Sequence, residues 1–265
     1  MIELPTERRE AQNYNPKLLV LFGKPKSGKS TLMAALESNL IIDLEDGYRA
    51  LSVMSINAHS VHELFEISAA IDAKIKENGK LPYRFITIDN ATRLEEFALP
   101  YAAHLYRCTS MGANWGMLKD ERGNLIRDKN NKPIIDKKAD VRLLPNGAGY
   151  LYLRQAVKKT IDIFKDKCDT LILVAHVKEK QIKKDSEEMS EMSVDMAGKL
   201  GDIICGEADA IGYVYRDKNK TFISFEGGDN TVREARPLHL RGKKIEVAQS
   251  DENNIISVDM SKLFI

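Results

Sequence analysis

The sequence predicts an α/β fold in which a mostly parallel, doubly wound sheet ends in antiparallel strands. Short apolar runs alternate with longer amphipathic segments over most of the chain. The first run stops at a glycine-rich turn, and two β-rich runs near the end flank a short polar turn. Alternating strands and helices are typical of a parallel sheet covered by helices on both faces.

Four apolar runs are predicted to form buried parallel strands, because each is short and is bounded by polar or turn residues. They lie at 17–22, 40–44, 84–89 and 170–176. Helices are expected at 60–78, 91–107 and 149–164. Ser60 and Glu63 form a capping box at the start of the first helix, and Gly79 follows its end.

The later part of the chain departs from this alternation. Residues 208–216 and 220–226 are predicted to form a hairpin around a polar turn. We expect a single domain over 1–265, with its core at about 15–230 and a basic C-terminal extension at 231–265.

A long inserted loop is predicted at 109–146, where glycine, proline and charged residues replace the periodic pattern. The loop carries an excess of three positive charges. Loops of this length inside a compact domain are usually functional or disordered. No internal repeat is expected in the chain.

Composition excludes several classes of protein. The chain has 265 residues, 43% of them hydrophobic and 30% charged, which excludes collagen-like, low-complexity and disordered proteins. The net charge of +1 favours no particular partner. We expect no membrane span, no secretory signal and a reducing cytoplasm, which would be the host cytoplasm if the protein is phage-encoded. The cysteines are odd in number and too far apart for a disulfide framework or paired zinc site: Cys108, Cys168 and Cys205.

Residues 23–30 match the phosphate-loop pattern G-x-x-x-x-G-K-[ST] without a mismatch. A strand precedes the match and a helix can follow it, so backbone N–H groups are expected to surround phosphate oxygens. Lys29 supplies a cation for the β- and γ-phosphates, and Ser30 offers its hydroxyl to Mg²⁺. ATP and Mg²⁺ are therefore the expected cofactors. The expected nucleotide-binding residues are Gly23, Lys24, Pro25, Lys26, Ser27, Gly28, Lys29, Ser30 and Thr31.

Two further carboxylates are needed to hydrolyse ATP. Asp89 ends a predicted strand where parallel strands converge, so we expect it to act on Mg²⁺ together with Ser30. A water-orienting carboxylate is expected at the end of another strand. Glu45 extends furthest there, whereas Asp43 is an alternative that fixes the loop and Asp46 belongs to a turn.

His176 closes the fourth predicted strand beside the phosphate site. It is expected either to contact the γ-phosphate and report its loss, or to be an ordinary hydrogen-bonded residue at a strand end.

Together these residues resemble the RecA-like recombinase group of P-loop ATPases, over about 18–226. The run Ile42-Asp43-Leu44-Glu45 is similar to that group's strand end, whose glutamate is the catalytic base. The resemblance thus implies that Glu45 is the base and that Asp89 is the Walker B acid. His176 stands where the group has a glutamine that couples ATP to DNA binding.

The chain is most similar to phage RecA-like single-strand annealing ATPases, which are AAA-type NTP-binding proteins. Residues 178–199 occupy the position of the group's second DNA-binding loop, and the insert 109–146 falls near the first. This resemblance implies an ATP-dependent protein for recombination or annealing. Its implied partners are single-stranded DNA, further copies in a ring or filament, and a single-strand-binding protein, with no membrane.

Two other functions remain open, because a fold does not fix a function. One is a replicative-helicase-like motor, and the other is a regulatory P-loop switch that binds a protein and no nucleic acid. For the DNA-binding function, phosphate contacts are expected from Lys137, Lys138, Arg142, Lys183 and Lys184. Candidate stacking aromatics are Trp115, Tyr101, Tyr106 and Tyr150.

The basic segment after the terminal hairpin contains Arg233 and Arg236. RecA-like sites commonly lie between subunits, where a neighbour's cation meets the γ-phosphate. We therefore expect Arg233 or Arg236 to act in trans in a head-to-tail assembly. The alternative is a solvated basic edge that prevents strand aggregation.

Overall fold

The structure is a computed structural model that describes residues 4, 6–8, 10–136, 138–184, 187–228, 231–253 and 255–265. These residues form an eleven-stranded sheet. The strands are β1 Leu18–Gly23, β2 Asn39–Asp43, β3 Ser55–Asn57, β4 Phe85–Asp89, β5 Thr170–Lys184, β6 Glu187–Val194, β7 Ala210–Asp217, β8 Lys220–Ser224, β9 Glu234–Ala235, β10 Lys244–Ser250 and β11 Ile256–Val258.

Five α-helices lie among the described residues, and none of them is long and apolar enough to cross a membrane. They are α1 Lys29–Ala34, α2 Val61–Asn78, α3 Ala91–Arg107, α4 Gly149–Lys165 and α5 Leu200–Glu207. The expected capping box is confirmed, because the Ser60 side chain accepts a hydrogen bond from the Glu63 N–H. Gly79 ends α2 in the left-handed conformation, as its position predicts.

The sheet order is β11-β10-β8-β7-β1-β5-β4-β2-β3, and the six strands from β7 to β3 are parallel. The strands beyond β7 are antiparallel, so the predicted mixed sheet is confirmed. The register places Gly23 beside His176 and Asp43 beside Asp89. The carboxyl ends of β1, β5, β4 and β2 therefore meet at one edge, where open α/β sheets bind their ligands.

Both faces of the sheet are buried, which explains why the parallel strands are apolar throughout. Helices α2, α3 and α4 pack on one face, around side chains such as Leu64, Leu94 and Val157. Helix α1 packs on the other face with Leu32 and Met33, together with residues of the antiparallel strands. Strand β1, which leads into the phosphate loop, is thus buried between two packed layers.

The fourth predicted strand is longer than expected. It continues past His176 to Lys184 and turns back as β6, so that β5 and β6 form a long antiparallel hairpin. The expectation of a loop over 178–199 is therefore wrong for most of that segment. Residues 185 and 186, at the tip, lie outside the described residues.

The structure of the insert contains a repeat that was not predicted from the sequence. The backbone N–H groups of Leu118, Ile126 and Ile134 each donate to the carbonyl of another of the three, in a closed triangle with N···O distances of 2.9–3.0 Å. These residues are spaced by eight, and an aspartate follows each after one residue. The expectation of no internal repeat is therefore wrong, because each unit is too short and varied in sequence to show its period.

The aspartates of the repeat hold its turns. The Asp120 side chain accepts hydrogen bonds from the backbone N–H groups of Arg122 and Asn124. The Asp128 side chain accepts the equivalent two bonds from Asn130 and Lys132. Such local bonds stabilise turns without a large core. We call residues 116–139 the three-turn insert; Lys137 within it lies outside the described residues.

The C-terminal segment belongs to the sheet. Strand β10 pairs with β8, and β11 pairs with β10. Side chains of this segment, including Leu240, Ile245 and Val247, are buried in the core on the face of the sheet that α1 covers. The residues expected to form a basic extension thus cover one end of the sheet.

Gly149 joins the end of the insert to the start of α4. A Cβ atom at this position would stand 1.6 Å from the Val141 carbonyl oxygen, and both residues are buried. We predict that Gly149→Ala destabilises the protein by roughly 1–3 kcal/mol, the usual cost of overpacking. Urea denaturation measures the loss. Gly206→Ala is the matched control, because a Cβ there meets nothing within 4 Å; equal stability of the two variants would contradict the prediction.

Candidate functional site

The phosphate loop closes around the Lys29 side chain. Its Nζ donates to the carbonyl oxygens of Gly23 and Lys24, each at 2.9 Å. The Ser27 hydroxyl is buried and has no hydrogen-bond partner among the described residues. A buried, unsatisfied hydroxyl beside a lysine fits a loop shaped to hold an anion.

Two glycines of the loop are required by its shape. Gly28 precedes α1 with φ 101°, in the region that side chains rarely adopt. A Cβ on Gly23 would stand 2.3 Å from the Val214 carbonyl oxygen, because β7 passes directly beside the loop. No side chain caps α1, so its first N–H groups stay available to phosphate.

Asp89 is a buried carboxylate at the carboxyl end of β4. Its Oδ2 accepts hydrogen bonds from the Tyr48 hydroxyl at 2.6 Å and from the Ser30 hydroxyl at 3.2 Å. Burial, the largest cause, raises the pKa of Asp89, and these hydrogen bonds oppose the shift only in part. Burial also raises the pKa of Tyr48, with the negative charge of Asp89 adding to the effect, so Tyr48 remains a donor.

Glu45 lies in a loop whose shape is fixed by its neighbour Asp43. The Asp43 carboxylate accepts hydrogen bonds from the backbone N–H groups of Glu45 and Tyr48, which leaves the Glu45 side chain free to point into the pocket. Asp43 is buried, whereas the Glu45 side chain is 45% exposed. Asp43 thus fixes the loop, as one of the two alternatives expects, and the water-orienting role of Glu45 stays a prediction.

His176 lies between Glu45, which follows β2, and Asn90, which follows β4. Its Nε2 lies 3.0 Å from the Asn90 Nδ2 and 3.8 Å from a Glu45 oxygen. Its Nδ1 is buried without a partner among the described residues. Asn90 also caps α3 by accepting from the Arg93 N–H, so the capping role falls to Asn90 and not to Asp89.

One open pocket at the edge of the sheet brings most of the predicted residues together. Burial is the largest influence on the Lys29 ammonium and lowers its pKa, while the negative charges of Asp89 and Glu45 oppose this. A group that is buried and close to two carboxylates retains its charge most easily when an anion binds. The pocket is lined by Pro25, Lys26, Gly28, Lys29, Ser30, Thr31, Glu45, Asp89, His176 and Arg216.

Sequence reasoning missed two residues of this site. Tyr48 is five residues beyond the nearest strand end, and only the folding back of its loop brings its hydroxyl to Asp89. Arg216 belongs to the terminal hairpin, and only the pairing of β7 with β1 brings it beside Gly28. A sequence signal existed for Arg216 alone, because it ends the run 208–216, which was predicted to form a strand of the sheet.

The geometry agrees with the comparison to protein families. The sequence profile of the AAA domain family matches residues 15–237, which is most of the chain. The chain belongs to the AAA domain family. No curated protein matches it at a significant level. This is a family of P-loop ATPases, so ATPase activity is implied for the chain and the P-loop fold is confirmed.

AAA ATPases generally use ATP with Mg²⁺, and the residues of this AAA domain fit both. Ser30 and Asp89 present two oxygen atoms 3.2 Å apart, and oxygen is the ligand atom that Mg²⁺ prefers. When bound there, Mg²⁺ would neutralise charge on phosphate oxygens. The loop around Lys29 supplies the phosphate-binding part.

The predicted trans-acting arginines lie outside the pocket of this AAA domain. Arg233 Nε donates to the Glu226 carbonyl, and Arg236 contacts Asp209 and the Gly206 carbonyl. Asp209 precedes β7, so Arg236 lies at the edge of the sheet opposite the phosphate loop. A role in a neighbouring subunit stays a prediction.

The predicted DNA-contacting residues have varied environments. Arg142 forms an ion pair with Asp140, with hydrogen bonds of 2.6–3.0 Å, whereas Lys138 is exposed. Lys137 is outside the described residues, and so are the side chains of Lys183 and Lys184.

Three of the four candidate stacking aromatics are structural. Tyr106 packs edge-on against Trp115 and also contacts Tyr152. Tyr101 packs on Phe65, and both side chains pack against the core between the sheet and helices α2, α3 and α4. Tyr150 is the most exposed of the four, whereas the other three are half-buried.

The charged Asp89 side chain is expected to lower the free energy of unfolding of the nucleotide-free protein. Because its pKa is raised by folding, its favourable contribution is present at low pH and is lost as the pH rises through the folded-state pKa. We predict that Asp89→Asn stabilises the protein at pH 7.5 in EDTA by on the order of 1 kcal/mol. The gain should shrink as the pH is lowered.

The measurement is urea denaturation at several pH values, with Asp166→Asn as the control because the Asp166 side chain is exposed. Addition of Mg²⁺ and ATP should reverse the order, since the wild type then gains binding energy that the variant lacks. A wild type that is more stable than Asp89→Asn without ligand would contradict the burial argument.

Proposed function

We propose that this protein hydrolyses ATP at the phosphate-loop pocket and uses the cycle to bind single-stranded DNA in recombination or annealing. The observation that carries the proposal is the convergence of Lys29, Ser30, Asp89 and Glu45 at one edge of the sheet. Phosphoryl transfer depends mainly on positioning and charge stabilisation, and these residues supply both. The similarity to phage RecA-like annealing ATPases supports the DNA-directed role.

Each residue of the pocket has a distinct role in this proposal. Glu45 is the most solvent-accessible of the acids around β2 and β4 in the pocket, and it accepts a proton from the attacking water. Ser30 and Asp89 hold Mg²⁺, and Lys29 neutralises phosphate charge. His176 contacts Glu45 and Asn90, so its position depends on what Glu45 binds.

The hairpin of β5 and β6 offers a path from nucleotide to DNA. His176 and the first hairpin residue, Val177, are consecutive in one continuous strand. A change at His176 can therefore move the hairpin as a rigid element. The outer part of β5 contains Lys178, Lys180, Lys183 and Lys184.

The three-turn insert is a second candidate DNA contact. Its aspartates hold backbone turns, whereas four of its cations have exposed side chains without a partner among the described residues. They are Lys119, Arg122, Lys129 and Lys132. Cations presented on a preformed turn bind phosphates without a large ordering cost.

Self-assembly is part of the proposal. RecA-like proteins complete their sites between subunits, so Arg233 or Arg236 would reach the γ-phosphate of the adjacent subunit in a ring or filament. Both arginines must then exchange their present contacts with Glu226, Asp209 and Gly206 for the neighbour's phosphate.

Matched amide variants distinguish the roles of Glu45 and Asp43. We predict that Glu45→Gln retains ATP binding and lowers turnover at least ~100-fold, the lower range for loss of a general base. Asp43→Asn should shift the loop and have a smaller effect, because Asp43 only accepts backbone hydrogen bonds. Lys29→Ala should lose both binding and turnover.

Single-turnover hydrolysis and nucleotide titration measure the two effects. A larger loss in Asp43→Asn than in Glu45→Gln would show that the base is assigned to the wrong residue. Near-normal turnover in Lys29→Ala would refute the phosphate-loop site itself.

Removal of outer lysines should flatten the salt dependence of DNA binding. We predict that changing Lys137, Lys138, Lys183 and Lys184 to alanine lowers the slope of log K against log salt by up to about 0.7 per lost phosphate contact. The control replaces four exposed lysines of α2, its following turn and α4: Lys74, Lys76, Lys80 and Lys159. Fluorescence anisotropy with an oligo-dT strand gives both slopes, and equal slopes for the two variants would refute this DNA surface.

A further inference from the structure

Arg216 places a guanidinium beside the phosphate loop of its own chain. Its two nearest nitrogen atoms lie 3.5 and 3.6 Å from where a Cβ of Gly28 would stand. The side chain lines the same pocket as Lys29, Glu45 and Asp89. It is exposed and makes no hydrogen bond or ion pair within the part of the chain that the structure describes.

This lack of a partner distinguishes Arg216 from three nearby cations. Lys29 is held by two carbonyl oxygens, and Lys220, on the facing strand, pairs with Glu246 at 2.7 Å. Lys244 lies over the ring of Phe222 at 4.2 Å. Arg216 is therefore a charged group next to an anion site with its own donors unused.

The position of Arg216 in the sheet indicates which part of a nucleotide it meets. Strand β1, which carries the phosphate loop, lies between β7 and β5. His176 lies on β5, Asp89 ends β4 and Glu45 follows β2, and all three strands are on one side of β1. Arg216 is on β7, on the other side, so it is separated by the loop from the groups that act on the reacting phosphate.

We propose that Arg216 binds, within one subunit, the phosphates that stay with the nucleoside when ATP is hydrolysed. This inference rests on the proposed ATPase function and adds a nucleotide-binding residue that the phosphate-loop motif does not include. A planar guanidinium donates two parallel hydrogen bonds to phosphate oxygens, which a lysine cannot reproduce. Arg216 is thus a binding residue and not the cation that stabilises the reacting γ-phosphate.

The terminal hairpin holds Arg216 in place for this role. Arg216 pairs with Thr221 across the hairpin, and the Thr221 methyl group lies near the same point over Gly28. On the opposite face, the rings of Tyr215 and Phe222 stack with centroids 5.7 Å apart. The backbone beneath the side chain is therefore fixed before phosphate binds, and only the rotamers of the Arg216 side chain have to be ordered on binding.

The test compares ATP and ADP binding in Arg216→Ala, Arg216→Lys and the wild type, by calorimetry with Mg²⁺. We expect Arg216→Ala to weaken both nucleotides about tenfold and by equal factors, because both retain the contacted phosphates. Arg216→Lys should fall between the two. In steady state, the loss should appear in KM far more than in kcat. Lys218→Ala is the control, since Lys218 is an exposed cation in the turn of the same hairpin and is not in the pocket lining.

Three results would overturn the inference. If Arg216→Ala weakens ATP but not ADP and lowers kcat strongly, Arg216 acts on the γ-phosphate. If all variants bind as the wild type does, Arg216 makes no nucleotide contact, while the proposed function stands provided that Lys29→Ala abolishes binding. Failure of the wild type to bind either nucleotide would instead refute both proposals. Circular dichroism confirms folding, and Arg216→Gln replaces Arg216→Ala if the latter is unfolded.

Discussion

The burial of Asp89 beside Lys29 is the constraint on which the rest of the site depends. A carboxylate at the end of a fully buried strand is expensive unless donors surround it. Tyr48 and Ser30 supply those donors, and each belongs to a different loop. Because one oxygen of Asp89 accepts from both, the phosphate-loop helix and the Glu45 loop are positioned relative to β4 by a single group. Nucleotide and metal would act on an arrangement that already exists.

The same packing links the pocket to distant parts of the fold. Strand β5 runs from the buried core through His176 and out into the hairpin without interruption. Strand β7 likewise runs from the core past the phosphate loop to Arg216. The nucleotide pocket therefore lies between two strands that leave the core at its edge. A change in what the pocket holds can reach the hairpin of β5 on one side and the terminal hairpin on the other.

Local signals in the sequence predicted the parts of the fold that depend on local chemistry. The phosphate loop, the capping box at Ser60 and the apolar parallel strands are of this kind, since each is set by residues close in sequence. Tyr48 could not be predicted as a site residue, because a folded loop brings it there. The strand predicted at 208–216 contains Arg216, but the pattern does not show that pairing with β1 places this residue in the site. The hairpin beyond His176 was missed because its charged residues lack the alternation of a half-buried strand.

The three-turn insert shows the same limit in another form. Only three aspartates and three apolar residues recur at its period of eight residues, and the other positions of the units differ. The backbone triangle between Leu118, Ile126 and Ile134 makes the repeat evident, whereas the sequence shows only a charged, glycine-containing loop. Its exposed cations and rigid turns are the features that connect it to the proposed DNA partner.

The rate of ATP hydrolysis, measured with and without single-stranded DNA, tests the central claim most directly. The wild-type protein is assayed with Mg²⁺ at saturating ATP, and a double-stranded DNA of the same length serves as the comparison. The account predicts Mg²⁺-dependent hydrolysis that single-stranded DNA stimulates more than duplex DNA does. Hydrolysis at one rate in all three conditions would contradict the coupling of this pocket to DNA, and nucleotide binding without turnover would contradict the assignment of Glu45 as a base.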